Sequence, residues 1–222
     1  MTQSVVLVNG LGRTCASMAR LQRGLEADGY AVKCWSYPSR ARRLAGHVQA
    51  MRDWLAEQEF SGTVHFVGHS LGGLIIRGAL ADNPPVTVGR IVMIATPNQG
   101  AGVVSHFGNW PFSKFIFGLP LEDLGENSPA LKNLGVPDAD IGIIAGVQHF
   151  HPVNPISWIN LFHRAGHEHD GTVEVANTHL DEARDHITID AHHTFICDDR
   201  NVIAETVCFL KDGQFDRSLP TS

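Results

Sequence analysis

The segment TVHFVGHSLGGLIIRGAL, residues 63–80, decides the fold. A β-branched and aromatic run leads into Gly-His-Ser-Leu-Gly at 68–72, and the apolar stretch Leu71–Leu80 predicts a helix. A serine between two glycines at such a junction is typical of a nucleophile elbow. The turn is so sharp that Ser70 must take a strained backbone conformation, and side chains at the glycine positions would collide with neighbouring elements. The pattern therefore predicts that Ser70 is a nucleophile held above a sheet.

The helix that follows the serine adds a second chemical element. Its first N–H groups have no partner within the helix, and they carry the positive end of the helix dipole. The Leu71 N–H is therefore predicted to stabilise an oxyanion that develops at Ser70.

Outward from this segment, short β-rich runs alternate with amphipathic helical stretches along the chain. Strands are predicted at Ser4–Val8, Ala31–Trp35, Thr63–Val67, Ile91–Ala95, Ile141–Ala145 and His186–Ile189. The alternation implies βαβ units with right-handed crossovers, and hence a mostly parallel sheet of about six strands flanked by helices. Ligands of such sheets bind at the carboxyl ends of the strands.

Length and composition bound the class of protein. The 222 residues, of which 43% are hydrophobic, suit a single α/β domain over 1–222. A net charge of −6 gives no electrostatic reason to expect a nucleic-acid partner. The basic cluster Arg40, Arg42 and Arg43 is interpreted as a solvated helix face.

The four cysteines and the first apolar run indicate the cellular compartment in which the protein is expected. Cys15, Cys34, Cys197 and Cys208 lie in apolar segments without C-x-x-C spacing, which favours free buried thiols in a reducing environment. The first apolar run is too short for a signal peptide or a membrane span. We therefore expect a cytoplasmic protein without a transmembrane segment, or a secreted one if a signal peptide has been removed.

Two further motifs carry a resemblance to the α/β-hydrolase superfamily, most closely to its small lipase- and esterase-like members. Asn-Gly-Leu-Gly at 9–12 is similar to the His-Gly-apolar oxyanion loop of lipases, and Ala-Thr-Pro-Asn-Gln-Gly at 95–100 is similar to their Thr-Pro-x-x-Gly segment. The resemblance implies the α/β-hydrolase fold and the Leu11 backbone N–H as second oxyanion donor. Asn9 departs from the usual His, a change that concerns only an ordering role of the imidazole because the donor is backbone.

A serine hydroxyl needs a base to take its proton and a carboxylate to orient that base. The superfamily supplies these groups in the order Ser, acid, His. The motif DGTV at Asp170 resembles the loop that holds the acid, in preference to Glu168 or Asp190. The motif HTFI at His193 resembles the loop that holds the base, in preference to the adjacent His192.

Other histidines are given other interpretations. His163, His167 and His169 near Asp170 could be drawn as zinc ligands, but the spacing fits no H-E-x-x-H helix, so no metal and no cofactor is expected. His65 and His69 are predicted to be hydrogen-bonded packing residues.

The resemblance implies hydrolysis of carboxylic esters, either of small molecules or of lipids, through a Ser-His-Asp triad and an acyl-enzyme intermediate. The same triad serves thioesterases and amidases, and a catalytically silent binding protein on this fold is a further alternative. Neither the substrate nor the oligomeric state is identified by these motifs.

The segment 98–138 shows no clear periodicity and is rich in aromatic residues. In the fold that the chain resembles, insertions at this point form a cap or lid over the nucleophile. Phe112 and Phe115 are therefore predicted to bind an acyl chain, which would favour medium acyl esters over acetates. Packing of the aromatic residues onto the sheet is the alternative.

Overall fold

In the part of the chain that the structure describes, six parallel strands form one sheet in the order β2-β1-β3-β4-β5-β6. The computed structural model describes residues 3–101, 118–126, 128–149 and 168–217. The strands are β1 Ser4–Val8, β2 Ala31–Trp35, β3 Val64–His69, β4 Val88–Ile94, β5 Ile141–Gly146 and β6 Asp185–Ile189. The predicted parallel α/β sheet is confirmed. Because β1 lies between β2 and β3, the direction of winding reverses at β1, where ligands of such sheets bind.

Helices cover both faces of the sheet. They are α1 Ala19–Ala27, α2 Leu44–Ala56, α3 Leu71–Leu80, α4 Pro129–Lys132, α5 Val175–Thr178 and α6 Arg200–Asp212, with 3-10 turns at Cys15–Met18, Leu119–Asp123 and Ile196–Asp198. Alternate residues of β1 serve the two cores, since successive strand side chains point to opposite faces. Val6 and Val8 pack in the core that contains α2 and α3, whereas Val5 and Leu7 pack in the core that contains α1 and α6.

Element boundaries differ from the prediction at the two strands nearest the elbow. β3 continues through Gly68 to His69, which pair with Met93 and Ile94, and the turn begins only at Ser70. β4 begins at Val88 rather than Ile91, and its pairing with β3 is irregular between Val64 and Phe66. The predicted strand ends at Val67, before Gly68. In the structure Gly68 lies within β3, and the start of α3 packs so closely on it that a Cβ would lie 2.5 Å from the Gly73 nitrogen.

Two of the four cysteines are joined. Cys15 and Cys34 form a disulfide with their Cα atoms 6.0 Å apart, so the prediction of free thiols is wrong for this pair. The cause is the sheet register: Cys34 on β2 pairs with Leu7 on β1, and the chain after β1 returns over the same edge. Cys197 and Cys208 are free. With a disulfide present, cysteine usage no longer argues for a reducing compartment.

Within the described residues, no helix combines the length and the apolar character that a membrane span requires.

Loss of the disulfide is expected to lower the free energy of unfolding by about 3 kcal/mol, because cross-linking a loop of this length restricts the unfolded chain by roughly that amount. The bridged cysteines are 19 residues apart. Urea unfolding of a Cys15→Ala, Cys34→Ala double variant checks this, with Cys208→Ser as the control because its thiol is free. Equal stability of the double variant and the wild type would contradict the bridge.

Candidate active site

Ser70 lies at the turn between β3 and α3 with φ 53° and ψ −122°. A residue other than glycine in such a conformation costs about 1–3 kcal/mol and persists only where its surroundings hold it. Here the Ser70 N–H donates to the Ile94 carbonyl at 2.9 Å, and the Ser70 carbonyl accepts from the Gly73 N–H at 3.0 Å. The strained conformation predicted for Ser70 is confirmed.

The glycines around Ser70 permit backbones to approach each other. A Cβ on Gly68 would lie 2.5 Å from the Gly73 nitrogen, and one on Gly72 would lie 2.1 Å from the Val8 carbonyl oxygen. Both distances are shorter than any real contact, so the predicted collisions are confirmed. Gly73 likewise lies against the side chain of Thr96, in the Thr-Pro segment.

The loop after β6 places an imidazole against Ser70. His193 Nε2 lies 3.2 Å from Ser70 Oγ, and His193 Nδ1 lies 2.7 Å from Asp170 Oδ2. Because Nδ1 faces a carboxylate, we assign its proton there, which leaves the lone pair of Nε2 facing the serine hydroxyl. This geometry allows the imidazole to accept the hydroxyl proton.

The adjacent histidine has different contacts. His192 Nδ1 accepts from the Thr194 N–H at 3.3 Å, and a Cβ on Gly171 would lie 2.5 Å from His192 Nε2. The structure thus brings His193, and not His192, to Ser70.

Asp170 is held by its own loop. Its side chain is buried, and Oδ1 accepts from the Thr172 N–H at 3.0 Å and the Val173 N–H at 2.8 Å. Its carbonyl accepts from the His193 N–H at 2.9 Å, so side chain and backbone both contact the imidazole-bearing loop. Among the described contacts of His193, neither Glu168 nor Asp190 takes this place.

The predicted oxyanion loop lies directly against the elbow. A Cβ on Gly10 would be 3.1 Å from Ser70 Cβ and 3.0 Å from His69 Nδ1. Neither the Leu11 N–H nor the Leu71 N–H donates a hydrogen bond to any described residue. Both predicted donors therefore lie on segments that adjoin Ser70.

Asn9 orders this loop. Its side chain is buried, and Nδ2 donates to the Gly10 carbonyl at 3.1 Å and the Arg13 carbonyl at 2.9 Å. The Tyr37 hydroxyl donates to the Asn9 carbonyl at 2.8 Å. The carboxamide therefore helps to close the turn that carries Leu11.

His69 contacts the loop that carries His193. It is buried, its Nε2 lies 3.1 Å from the His193 carbonyl, and the two rings lie 4.9 Å apart. Burial first, and then the positive charges of His193 and Arg13, hold the pKa of His69 well below its ordinary value. The ring is therefore neutral, and we assign its proton to Nε2, which donates to the carbonyl. Like His65, whose Nδ1 accepts from the Arg90 N–H at 2.9 Å, it is the hydrogen-bonded packing residue that was predicted.

Sequence reasoning missed Arg13. Its Nη2 donates to the Thr194 carbonyl at 2.9 Å, which ties the oxyanion loop to the residue after His193. No local pattern could have found this contact, because it joins residues 181 positions apart.

Some predicted residues lie outside the described part of the chain. Phe112 and Phe115 are among them, so their contact with an acyl chain stays a prediction. The cap predicted over 98–138 also stays a prediction, since only 98–101, 118–126 and 128–138 of it are described. His163 and His167 also lie outside. In the ranges that are described, no group of three His, Cys, Asp or Glu side chains could hold a metal ion.

Comparison with solved structures gives the same architecture. The mature lipase BlEst2 of Bacillus licheniformis superposes with a TM-score of 0.78 at 19% identity, over 93% of this chain and 91% of that one. A metagenomic carboxyl esterase, MGS0156, gives 0.64 at 19% identity, over 86% and 64%. A pyrethroid hydrolase from Sphingobium faniae JZ-2 gives 0.55 at 14% identity, over 96% and 98%. At these identities the likeness is one of fold.

No curated protein sequence matches the chain. The model of the alpha/beta hydrolase family matches residues 5–208, a span that includes Ser70, Asp170 and His193. The chain therefore belongs to the alpha/beta hydrolase family.

Proposed function

We propose that this hydrolase cleaves carboxylic esters by acyl transfer to Ser70. The observation that carries the proposal is the continuous contact from Ser70 Oγ through the His193 ring to Asp170 Oδ2, at 3.2 and 2.7 Å. The named activities of the structural neighbours, a lipase, a carboxyl esterase and a pyrethroid hydrolase, agree with ester chemistry.

In the first step, Ser70 Oγ attacks the ester carbonyl while His193 Nε2 takes the hydroxyl proton. Asp170 stabilises the imidazolium through Nδ1 and keeps the ring in place. The carbonyl oxygen becomes an oxyanion, which the Leu11 and Leu71 N–H groups stabilise. When the tetrahedral intermediate collapses, the alcohol leaves with the proton that His193 held, and the acyl group remains on Ser70.

In the second step, water replaces the alcohol. His193 takes a proton from the water as it attacks the acyl carbonyl, the same N–H groups hold the oxyanion, and Ser70 recovers its proton on release of the acid. Besides the ester and water, both steps use only groups of this chain.

Replacement of Ser70 by Ala tests the proposal. The variant should lose ester turnover by about 10⁴-fold or more, because the three groups act as a unit. Wild-type turnover is measured on an ester, a thioester and an amide that share one acyl group, and the ester is expected to be cleaved fastest. A fluorophosphonate should label wild-type Ser70, as mapped by mass spectrometry, and should leave Ser70→Ala unlabelled.

Turnover by Ser70→Ala within about tenfold of the wild type would sink the mechanism. Faster cleavage of the thioester or the amide would keep the mechanism and change the substrate class. Absence of both labelling and turnover would indicate a silent binding protein.

The neighbouring histidines offer a matched pair. His193→Ala should lose turnover by about 10⁴-fold, since His193 is the base that contacts Ser70 among the described residues. His192→Ala should keep most of it, because the His192 ring contacts Gly171 and Thr194 instead. Thermal unfolding shows whether both variants are folded. If His192→Ala loses turnover and His193→Ala keeps it, then His192 is the base.

Asn9 is expected to act through the oxyanion loop as a positioning residue. Asn9→Ala removes both side-chain hydrogen bonds of the turn and leaves the backbone bond from the Arg13 N–H to the Gly10 carbonyl. We expect kcat to fall by roughly tenfold to 100-fold with little change in KM, because a displaced Leu11 N–H weakens contact mainly with the oxyanion of the transition state. The measurement is the kcat and KM split on one ester. A rise in KM at constant kcat would instead assign Asn9 to ground-state binding.

A further inference from the structure

An open groove of about 450 Å³ lies beside the oxyanion loop, and its walls are residues 12–14 and 37–41. The Gly12 N–H donates to Ser39 Oγ at 2.8 Å, which fixes the two walls to each other. On the basis of the proposed ester hydrolysis, we infer that this groove is a subsite for an anionic group, a carboxylate or a phosphate, carried by the ester.

The groove is close enough to Ser70 to be reached by a bound ester. Its first wall begins at Gly12, the residue after Leu11, and Gly10 on the other side of Leu11 lies against Ser70. Arg13 in the same wall donates to the Thr194 carbonyl, next to His193. A substrate with its carbonyl at Ser70 can therefore extend past the oxyanion loop into the groove.

Arg40 contributes a positively charged guanidinium group to the groove. Its guanidinium lies on the backbone of Gly12, where a Cβ would be 2.9 Å from Nη2. Gly12 has a φ of +68°, so both the conformation and the space favour glycine at this position. The Arg40 carbonyl accepts from the Leu119 N–H at 3.2 Å, which anchors the backbone while the side chain stays exposed to ligands.

The positive charge in the groove has no counter-charge within the described ranges. No carboxylate there pairs with Arg13 or Arg40, whereas the nearby Arg43 pairs with both Glu122 and Asp123. The charge of Arg13 also contributes to the low pKa of His69, after burial and His193, so its field extends into the site. In a chain of net charge −6, this local excess of positive charge favours an anionic ligand.

Guanidinium groups suit carboxylate and phosphate oxygens because their N–H donors form a planar fork. The solvent-exposed position of Arg40 limits the gain, and we expect a preference of roughly fivefold for a charged over a neutral ester. A carboxylate on the acyl chain and a phosphate on the alcohol can both accept hydrogen bonds from a guanidinium. The test therefore includes an ester of each kind.

The test compares matched esters by kcat/KM. One pair is the 4-nitrophenyl ester of an acyl chain that ends in a carboxylate, against the same chain ending in a carboxamide. The other pair is a short acyl ester of glycerol 3-phosphate against that of glycerol. The wild type should prefer the charged member in at least one pair, and ~0.5 M NaCl should reduce that preference by screening.

Arg40→Gln should bring the charged-to-neutral ratio close to one. Arg23→Gln is the matched control, because it removes the same charge from the exposed side of α1, and its ratio should equal that of the wild type. Thermal unfolding shows whether each variant is folded, and the salt dependence of the wild type tests the subsite without any variant.

A wild-type ratio near one in both pairs overturns the subsite, as does a ratio that neither Arg40→Gln nor salt reduces. Ser70→Ala in the same assays separates the two proposals. If turnover survives in Ser70→Ala, the ester mechanism fails. If turnover requires Ser70 but the ratio is flat, the subsite alone fails.

Discussion

The rest of the structure depends on the backbone contact between the start of α3 and the end of β1. A Cβ on Gly72 would meet the Val8 carbonyl oxygen at 2.1 Å, so only glycine allows this approach. The contact brings the turn at Ser70 beside the loop that leaves β1, and it leaves Ser70 in a conformation that its neighbours must hold. Ser70 follows β3 and Leu11 follows β1, and because these strands are neighbours in the sheet the two residues lie close together.

The loops around Ser70 are joined mainly through backbone groups. The His193 N–H donates to the Asp170 carbonyl, the His193 carbonyl accepts from His69, and the Thr194 carbonyl accepts from Arg13. Two of these hydrogen bonds have side-chain donors, so substitution of His69 or Arg13 would remove a contact that holds the loop of His193. The neutral state of His69 also matters, because a second charged imidazole beside His193 would disfavour the imidazolium that acylation needs.

How far the sequence predicts this molecule depends on the range of each interaction. The elbow is local, so a few residues around Ser70 predict its strain, its glycines and the helix after it. The Cys15–Cys34 bridge depends on which strands become neighbours, which spacing alone does not reveal. The contact of Arg13 with Thr194 is of the same long-range kind. The role of Phe112 stays a prediction from family resemblance.

The way Asp170 is held affects how the chain can vary in length. Its carboxylate contacts Thr172 and Val173 in its own turn and His193 in the loop after β6. The end of β5 adds a packing contact, since a Cβ on Gly146 would lie 2.8 Å from the Asp170 Cβ. Every described hydrogen bond of the carboxylate comes from residues that follow Asp170 in the chain. A change in the number of residues between Asp170 and Val173 would therefore break the hydrogen bonds to Oδ1, so the length of this turn is closely constrained.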